Sequence, residues 1–280
     1  MIRIKVRIDK EKILKYNPNF LNTTNILSLN ERKSLKDCVI SFTEVKGNER
    51  LLESQEFEFV YISARTEGNT YTRGEAISLL EKGLTAGGKP FYDAKMLENI
   101  KNTFEEYVIS PKKITKNLIK DIHFTINDGI LEKNRLGVFR EEPVSIKGTS
   151  YLPPIGRDYI NSEIDYILKQ YESIEDPFEK SIYIHCNIAY LQPFKDGNKR
   201  TARMLQAITL ANYDIMPLVS KEEYISTYLD AMLMYYESGD YREYIQYFIK
   251  AYKEQYEYKA NFNKSETQER PNYPRRCRNK

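Results

Sequence analysis

Apolar residues recur three and four positions apart along most of the chain after about residue 70, which is the spacing of one face of an α-helix. Stretches with this period lie near 75–83, 93–109, 114–129, 157–173, 177–192, 199–213, 221–237 and 240–258. The pattern therefore predicts a mainly α protein, a helical bundle in which each helix buries one apolar face.

Three segments carry the shorter period of β structure instead. Residues 1–8 alternate apolar with basic side chains, and residues 57–61 are the expected partner strand. Residues 136–148 contain short alternating segments around Glu-Glu-Pro, which predicts a β-hairpin. The sequence thus predicts a short N-terminal β element and a small hairpin within a helical bundle.

These periods divide the chain into three parts. We expect an N-terminal subdomain with short strands over 1–62, a helical domain over 63–258 and a basic disordered tail over 259–280. A solvated terminus is the favoured interpretation of the tail, and contact with nucleic acid or an acidic protein is the alternative.

Charge and cysteine usage narrow the class of protein. Forty-three basic and forty acidic residues give a net charge of +3, so the bulk charge gives no reason to expect nucleic-acid binding. Cys38, Cys186 and Cys277 have no Cys-x-x-Cys spacing, and neither a secretory signal nor an apolar run of about twenty residues is present. We expect a soluble cytoplasmic protein that does not bind membranes.

The most informative stretch runs from Leu191 to Arg203 and reads LQPFKDGNKRTAR. A carboxylate precedes a Gly-Asn turn, and a predicted helix with two arginines follows it. Such a turn offers backbone N–H groups, a hard oxygen ligand and fixed cations to one anion. Arg200 and Arg203 project from nearly the same helix face. The stretch is therefore suited to a nucleoside triphosphate.

This stretch resembles the signature of Fic (filamentation induced by cyclic AMP) proteins, His-Pro-Phe-x-Asp/Glu-Gly-Asn-Gly/Lys-Arg-x-x-Arg. Every defining position matches except the first, where Gln192 replaces the histidine. The resemblance covers about residues 60–250 and implies a Fic fold, a helical bundle with a small β flap. It also implies that ATP and Mg²⁺ bind, and that AMP passes from ATP to a Ser, Thr or Tyr hydroxyl of a target protein.

The resemblance assigns roles to the residues of the turn. It implies that Asp196 binds Mg²⁺, that Gly197 lets the backbone approach the nucleotide, and that Asn198 fixes the turn and contacts phosphate. It further implies that Arg200 contacts the α- and β-phosphates and that Arg203 orients the γ-phosphate. Bidentate guanidinium groups match phosphate oxygens well.

Gln192 changes the chemistry that the resemblance implies. In Fic enzymes the signature histidine accepts the proton of the target hydroxyl, which a neutral amide cannot do. The expected catalytic set is Gln192, Asn198 and Arg200, without a base. The chain has two histidines, His123 and His185, and both are interpreted as core residues because they lie in apolar helical stretches. We expect nucleotide binding with attenuated transfer, which leaves open whether the protein is an enzyme.

Lys199 is a second departure from the commonest form of the signature. Many family members have glycine at this position, whereas Doc-like proteins have lysine and transfer the γ-phosphate. The turn is expected to bind nucleotide through Lys199 in either case. A Doc-like phosphotransferase and a non-catalytic ATP-sensing or binding module are therefore the two alternatives to an adenylyltransferase.

Residues 63–69, Ser-Ala-Arg-Thr-Glu-Gly-Asn, resemble the inhibitory motif Ser/Thr-x-x-x-Glu-Gly/Asn of one class of Fic proteins. The resemblance implies autoinhibition, in which Glu67 pairs with Arg203 and competes with the γ-phosphate for it. Without the family, the same segment is a helix end at Gly68.

Two further regions complete the expected site. The predicted hairpin at 136–148 resembles the family flap, which docks the backbone of the target protein as an added strand. A homodimer is compatible with the sequence, although no residue pattern encodes it. The remaining residues expected to contact nucleotide are Val144, Ser145 and Ile146 of the flap and Tyr228 and Tyr236 near the nucleoside base.

Overall fold

Helices dominate the computed structural model of the chain, which describes residues 13–22 and 24–268, with side chains to residue 263. The α-helices of these ranges are α1 (Leu29–Lys36), α2 (Phe42–Lys46), α3 (Glu49–Thr66), α4 (Arg73–Lys82), α5 (Phe91–Tyr107), α6 (Lys116–Asn127), α7 (Arg157–Ser173), α8 (Pro177–Leu191), α9 (Asn198–Ala211), α10 (Ile225–Ser238) and α11 (Arg242–Gln268). Short 3₁₀ segments lie at Pro18–Asn22, Lys133–Arg135 and Glu222–Tyr224. The mainly α class predicted from the sequence is confirmed.

A single pair of short strands accompanies the helices in the described ranges. Strands β1 (Leu14–Lys15) and β2 (Tyr151–Leu152) run parallel, with Leu14 opposite Tyr151. No α-helix in those ranges is both long and apolar enough to span a lipid bilayer.

Helix α8 lies at the centre of the fold. Its residues from Phe178 to Leu191 are all buried, and α9 packs along it in the most extensive contact between two helices of the described chain. The helix begins where Asp176 accepts hydrogen bonds from two backbone N–H groups and Pro177 fills the first turn, which needs no N–H donor. The loop between α8 and α9 is therefore held by two tightly packed helices.

The strand predicted at 57–61 is wrong, because these residues lie within α3. Buried positions of this helix include Leu51, Gln55, Phe59, Ile62 and Thr66, spaced three or four apart. A five-residue stretch rich in aromatic and β-branched residues cannot by itself distinguish a strand from a buried helix, and the longer window has the helical period. The other predicted strand, residues 1–8, lies outside the described residues.

Helix α3 also runs through the predicted domain boundary between residues 62 and 63. It packs against α2, α5 and α10, and buried side chains on both sides of the boundary belong to one hydrophobic cluster. The segment 63–69 is thus the end of a long helix that is fixed in the common core.

The C-terminal helix extends beyond its predicted end. Helix α11 continues to Gln268, so residues 259–268 of the predicted disordered tail are helical. These ten residues contain no glycine or proline to stop the helix, and the first such residue is Pro271. The rest of the tail lies outside the described residues.

The β-hairpin predicted at 136–148 does not form, since the structure has no strand in this described segment. Arg140 anchors the segment instead. Its buried guanidinium donates hydrogen bonds to the backbone carbonyls of Gln192 (2.7 Å), Glu142 (2.8 Å) and Pro154 (2.6 Å). Pro143 has no N–H to donate to a strand ladder, which weakens the case for paired strands here. We keep the name flap for residues 136–148.

Candidate functional site

Two residues with positive φ shape the loop between α8 and α9. Helix α8 is capped at its C-terminus by Gln192, with φ 50° and ψ 58°, and α9 begins after Gly197, with φ 76°. No side chain in the described chain caps the first turn of α9, whose N–H groups have no intrahelical partners. The start of α9 therefore has the backbone donors of an anion site.

Gly197 is required by sterics as well as by its backbone angle. A Cβ atom there would lie 2.4 Å from the Nδ2 atom of Asn127, which donates a hydrogen bond to the carbonyl of His123. The side chain of Asn127 thus occupies the space beside the turn. This close approach was not evident from the sequence, because Asn127 is 70 residues distant along the chain.

We expect Gly197→Ala to lower the free energy of unfolding by about 2–4 kcal/mol, since it combines an unfavourable φ with overpacking. Gly83→Ala is the matched control, because Gly83 has φ 67° but no atom lies within 4 Å of the point that a Cβ would occupy. The control is expected to lose about 1 kcal/mol in urea unfolding. Equal losses in the two variants would show that the contact with Asn127 is unimportant.

Asn198 closes the loop by hydrogen bonding to both backbone polar groups of Phe194. Its Oδ1 atom accepts from the Phe194 N–H at 2.8 Å, and its Nδ2 atom donates to the Phe194 carbonyl at 2.9 Å. The same Nδ2 atom donates to the side-chain Oε1 of Gln192 at 3.0 Å. Asn198 is buried, so these contacts fix the turn from inside.

Both ends of the Gln192 amide are engaged within the loop. Its Nε2 donates to the Ala189 carbonyl at 2.7 Å while its Oε1 accepts from Asn198. The Gln192 residue is 9% exposed, and its backbone carbonyl accepts from Arg140. Gln192 therefore connects α8, α9 and the flap, and its amide has no basic nitrogen to accept a proton.

His123 supports the loop from α6. Its Nδ1 accepts a hydrogen bond from the Gly137 N–H at 2.9 Å, so the proton is on Nε2, which donates to the Asp196 carbonyl at 3.0 Å. The ring stacks on Phe194 with centroids 3.7 Å apart. Burial lowers the pKa of His123 to about 4, so the ring is neutral at physiological pH. His123 is buried, as the sequence predicted, and it also joins the flap to the loop.

Arg200 is buried and incompletely paired. Its Nη2 lies 3.5 Å from Asp196 Oδ2, but its Nε and Nη1 have no hydrogen-bond partner among the residues that the structure describes. An unpaired buried charge-bearing donor is costly, so such a group calls for a partner, which can be a bound ligand, an ion or a water molecule. These two nitrogens are the clearest indication of an anion site in the loop.

Arg203 is held by the end of α3. Its Nη2 donates to Glu67 Oε1 at 2.7 Å and to the Ser63 carbonyl at 3.0 Å, and its Nη1 donates to the Tyr228 hydroxyl at 3.1 Å. Glu67 is the C-cap residue of α3, and Gly68 follows with φ 86°. The helix end and the ion pair expected for this segment are therefore both present, because the residue at the end of α3 is also the one that pairs with Arg203.

The Glu67 carboxylate is ionised although it is largely buried. Burial raises its pKa, but Arg203 and then Lys199 outweigh this effect and lower the pKa to about 2. A carboxylate with a depressed pKa stabilises the fold above the unfolded value of 4.5, and the contribution is lost as the pH falls towards 2. The ion pair therefore persists over the physiological pH range.

The structure places the two tyrosines expected near the nucleoside base inside the core. The Tyr228 hydroxyl lies between Arg203 and His185 Nε2, at 3.1 and 3.3 Å. Burial lowers the pKa of His185 to about 3, so this histidine is a neutral core residue. Tyr236 is buried against the rings of Tyr151 and Tyr190. Their contacts with a base stay predictions.

The expected flap contacts lie on the segment that Arg140 anchors. Val144 and Ile146 are half-buried, and Ser145 is exposed. The Thr149 hydroxyl, just beyond the flap, donates to Glu237 of α10 at 2.6 Å. Contacts of residues 144–146 with nucleotide remain a prediction.

Asp196 is the expected ligand of Mg²⁺. Its side chain is 57% exposed, and its Oδ1 accepts from the Gly197 N–H. The described part of the chain has no group of three or more His, Cys, Asp or Glu residues that could hold a metal ion. One carboxylate combined with substrate phosphates is nevertheless a common ligand set for Mg²⁺. Asp196 fits such a set only together with a bound nucleotide.

Known proteins resemble this chain in both sequence and fold. Residues 113–210 match the model of the Fic/DOC family. Protein adenylyltransferase fic-1 of Caenorhabditis briggsae is 25% identical over 246 residues, which cover 81% of this chain and 47% of the relative. The chain thus spans about half the length of the curated relatives that it matches.

Two solved structures show the likeness of fold. Fic-1 from C. elegans (residues 134–508) has a TM-score of 0.68 at 21% identity, covering 86% of this chain and 74% of that one. A Fic family protein from Desulfovibrio desulfuricans has a TM-score of 0.71 at 16% identity, covering 90% and 77%. The chain therefore has the Fic fold and contains a Fic/DOC-family domain, matched over residues 113–210.

Proposed function

We propose that this protein binds ATP in the loop between α8 and α9 and transfers AMP slowly to a hydroxyl group of a target protein. The observation that carries the proposal is the pair of unpartnered buried nitrogens on Arg200, among the described residues, beside the first turn of α9. The names of the relatives, protein adenylyltransferases, support the same reaction. ATP and a protein target are proposed as substrates, because the chain matches only about half the length of each relative.

The arrangement suits a polyphosphate. The N–H groups of the first turn of α9 and the free nitrogens of Arg200 are donors for the α- and β-phosphates. Asp196 presents an exposed carboxylate oxygen on the same loop, where Mg²⁺ would be shared with phosphate oxygens and would neutralise part of their charge. Gly197 has no side chain to obstruct the backbone at this point.

Transfer requires a proton acceptor at the attacking hydroxyl. The target oxygen forms a bond to the α-phosphorus, the bond to the bridging oxygen of pyrophosphate breaks, and the hydroxyl proton must leave. The Gln192 amide cannot accept it, and both of its polar ends are engaged by Ala189 and Asn198. The proton passes to water, without the hundred- to ten-thousand-fold contribution of a positioned base. Arg200 still positions the phosphates and stabilises their charge, so the reaction proceeds slowly without a base.

Glu67 accounts for inhibition in this scheme. Its carboxylate occupies the Arg203 donor that the γ-phosphate would otherwise use. ATP must displace a buried ion pair to bind with its γ-phosphate on Arg203, which lowers the affinity for that orientation. Because the Glu67 pKa is about 2, we expect inhibition to be independent of pH between about 5 and 8.

We expect Glu67→Gly to strengthen ATP binding by at least about tenfold and to increase labelling of protein by ATP carrying ³²P at the α-phosphate. Both follow from releasing Arg203, whose charge-assisted hydrogen bond becomes available to phosphate. Glu172→Gln is the control, because Glu172 lies at a half-exposed surface site. Glu163 is not used for this purpose, because it accepts a hydrogen bond from Tyr16. Equal affinity and equal labelling in wild type and Glu67→Gly would contradict the inhibitory role.

The position of the label separates the proposed reaction from its alternatives. Label from the α-phosphate marks AMP transfer, whereas label from the γ-phosphate alone would indicate a Doc-like phosphotransferase. Binding of ATP with neither label, even after Glu67→Gly, would identify an ATP-sensing module. The engaged Gln192 amide supports the ATP-sensing module as the second candidate, because it supplies no base for AMP transfer or for phosphate transfer.

A further inference from the structure

The Glu67 carboxylate has two cationic partners, one for each oxygen. Arg203 Nη2 lies 2.7 Å from Oε1, and Lys199 Nζ lies 3.3 Å from Oε2. The exposed fractions of the three side chains are 14% for Glu67, 12% for Arg203 and 26% for Lys199. The contact with Lys199 is therefore more sheltered from solvent than an ordinary surface ion pair.

Lys199 and Arg203 are positioned by the same helix. They are four residues apart on α9, so their side chains lie on one face, one turn apart. Two like charges at this spacing repel each other unless an anion lies between them. The anion in the structure is the Glu67 carboxylate, whose two oxygens divide between the two cations.

A terminal phosphoryl group has the features that this position requires. It carries negative charge on several oxygens, so one oxygen can contact an ammonium group while another accepts from a guanidinium group. We propose that Lys199 and Arg203 together form a subsite for the terminal phosphoryl group of a nucleoside triphosphate, and that Glu67 occupies both cations in the inhibited state. The inference rests on the proposed nucleotide site and adds the role of Lys199.

Two consequences follow from a shared subsite. Lys199 strengthens inhibition, because any ligand must displace Glu67 from two cations rather than one. It also makes the protein selective for triphosphates, because a diphosphate bound with its α- and β-phosphates on Arg200 has no group to place between Lys199 and Arg203. Lys199 is thus a specificity-determining residue of the site.

The selectivity is tested by calorimetric titration of ATP and ADP, each with Mg²⁺, in the Glu67→Gly background. Adding Lys199→Met is expected to weaken ATP binding by about tenfold, the effect of one charge-assisted hydrogen bond, and to leave ADP binding within about twofold. Lys195→Met is the matched control. Lys195 lies on the same loop, but its acidic partner is Glu142, at 3.9 Å, so its removal should change the affinities for ATP and ADP equally.

Equal weakening of ATP and ADP by Lys199→Met, or a loss of selectivity in Lys195→Met as well, would overturn the subsite. Failure of every variant to bind either nucleotide would overturn the proposed function along with it, so the two failures are distinguishable.

The hold of Lys199 on Glu67, called the clamp here, is tested without nucleotide by a double-mutant cycle on thermal unfolding. Lys199→Met should lower the midpoint in wild type and have no such effect after Glu67→Gln. Equal shifts in both backgrounds would overturn the clamp.

Discussion

Gln192→His is expected to increase AMP transfer by about a hundred- to ten-thousand-fold in the Glu67→Gly background, since a positioned general base contributes a factor of this size. The backbone should accept the change. Gln192 has φ 50°, and the other residues with positive φ besides glycine in the described chain are Asn25 and Asp214. Histidine adopts this region more readily than most residue types, as asparagine and aspartate do.

Gln192→Asn is the matched control for this gain of activity. Asparagine also tolerates the left-handed region, but its amide is no more basic than that of glutamine. Initial rates of labelling from ATP carrying ³²P at the α-phosphate should therefore rise in the histidine variant and stay at the parent level in the asparagine variant. A rise in both variants, or in neither, would contradict the assignment of position 192 to the missing base.

Arg200→Met should weaken ATP binding in the Glu67→Gly background by about a hundredfold or more. Two nitrogens of this guanidinium have no partner in the described structure, and each hydrogen bond from a charged group to phosphate contributes about 1.5–3 kcal/mol. Equilibrium titration of ATP measures the loss. Arg200→Lys should give an intermediate affinity, because it keeps the charge but not the planar fork.

The same variant distinguishes a binding residue from a structural one. Without nucleotide, Arg200→Met should unfold with a free energy within about 1 kcal/mol of its parent, or higher, because it removes an incompletely paired buried charge. An arginine needed for the fold would instead cost about 3–5 kcal/mol. Loss of stability on that scale, with ATP affinity unchanged, would contradict the binding role.

The sequence was sufficient to predict the helices after residue 70 and the loop between α8 and α9. Helical periodicity predicted α4 to α10 to within a few residues, including α8, which is buried on all sides. The signature run brought Asp196, Asn198, Arg200 and Arg203 together as a local unit, and the motif at 63–69 named Glu67 as the partner of Arg203. Their roles in binding stay predictions.

Local patterns failed where tertiary packing decided the outcome. Residues 57–61 have strand-like composition but belong to α3, whose packing against α5 and α10 favours the helix. The flap was expected to pair with itself, whereas β2 just after it pairs with β1 from the N-terminal region. Neither partner could be read from the segments themselves.

Several contacts of the site were not predicted, because the residues that make them are distant in sequence. Arg140 reaches Gln192 across 52 positions, and Lys199 reaches Glu67 from α9. The order of apolar and polar residues does not indicate that Arg140 is buried and donates hydrogen bonds to three backbone carbonyls. Comparing each cation of the signature with the acidic residue of the inhibitory motif would have identified Lys199, as well as Arg203, as a partner of Glu67.

We propose that the loop keeps the phosphate-binding half of the signature and lacks its proton-accepting half. One measurement tests both halves on the same sample. The Glu67→Gly variant is incubated with Mg²⁺, a target-protein mixture and ATP labelled at the α-phosphate. Label that is retained reversibly measures ATP binding, and label that is stable to acid measures covalent AMP transfer. We predict about one ATP bound per chain and little covalent label until Gln192→His is added. Absence of bound ATP would contradict the intact binding half, and covalent label already as strong as in the histidine variant would contradict the missing base.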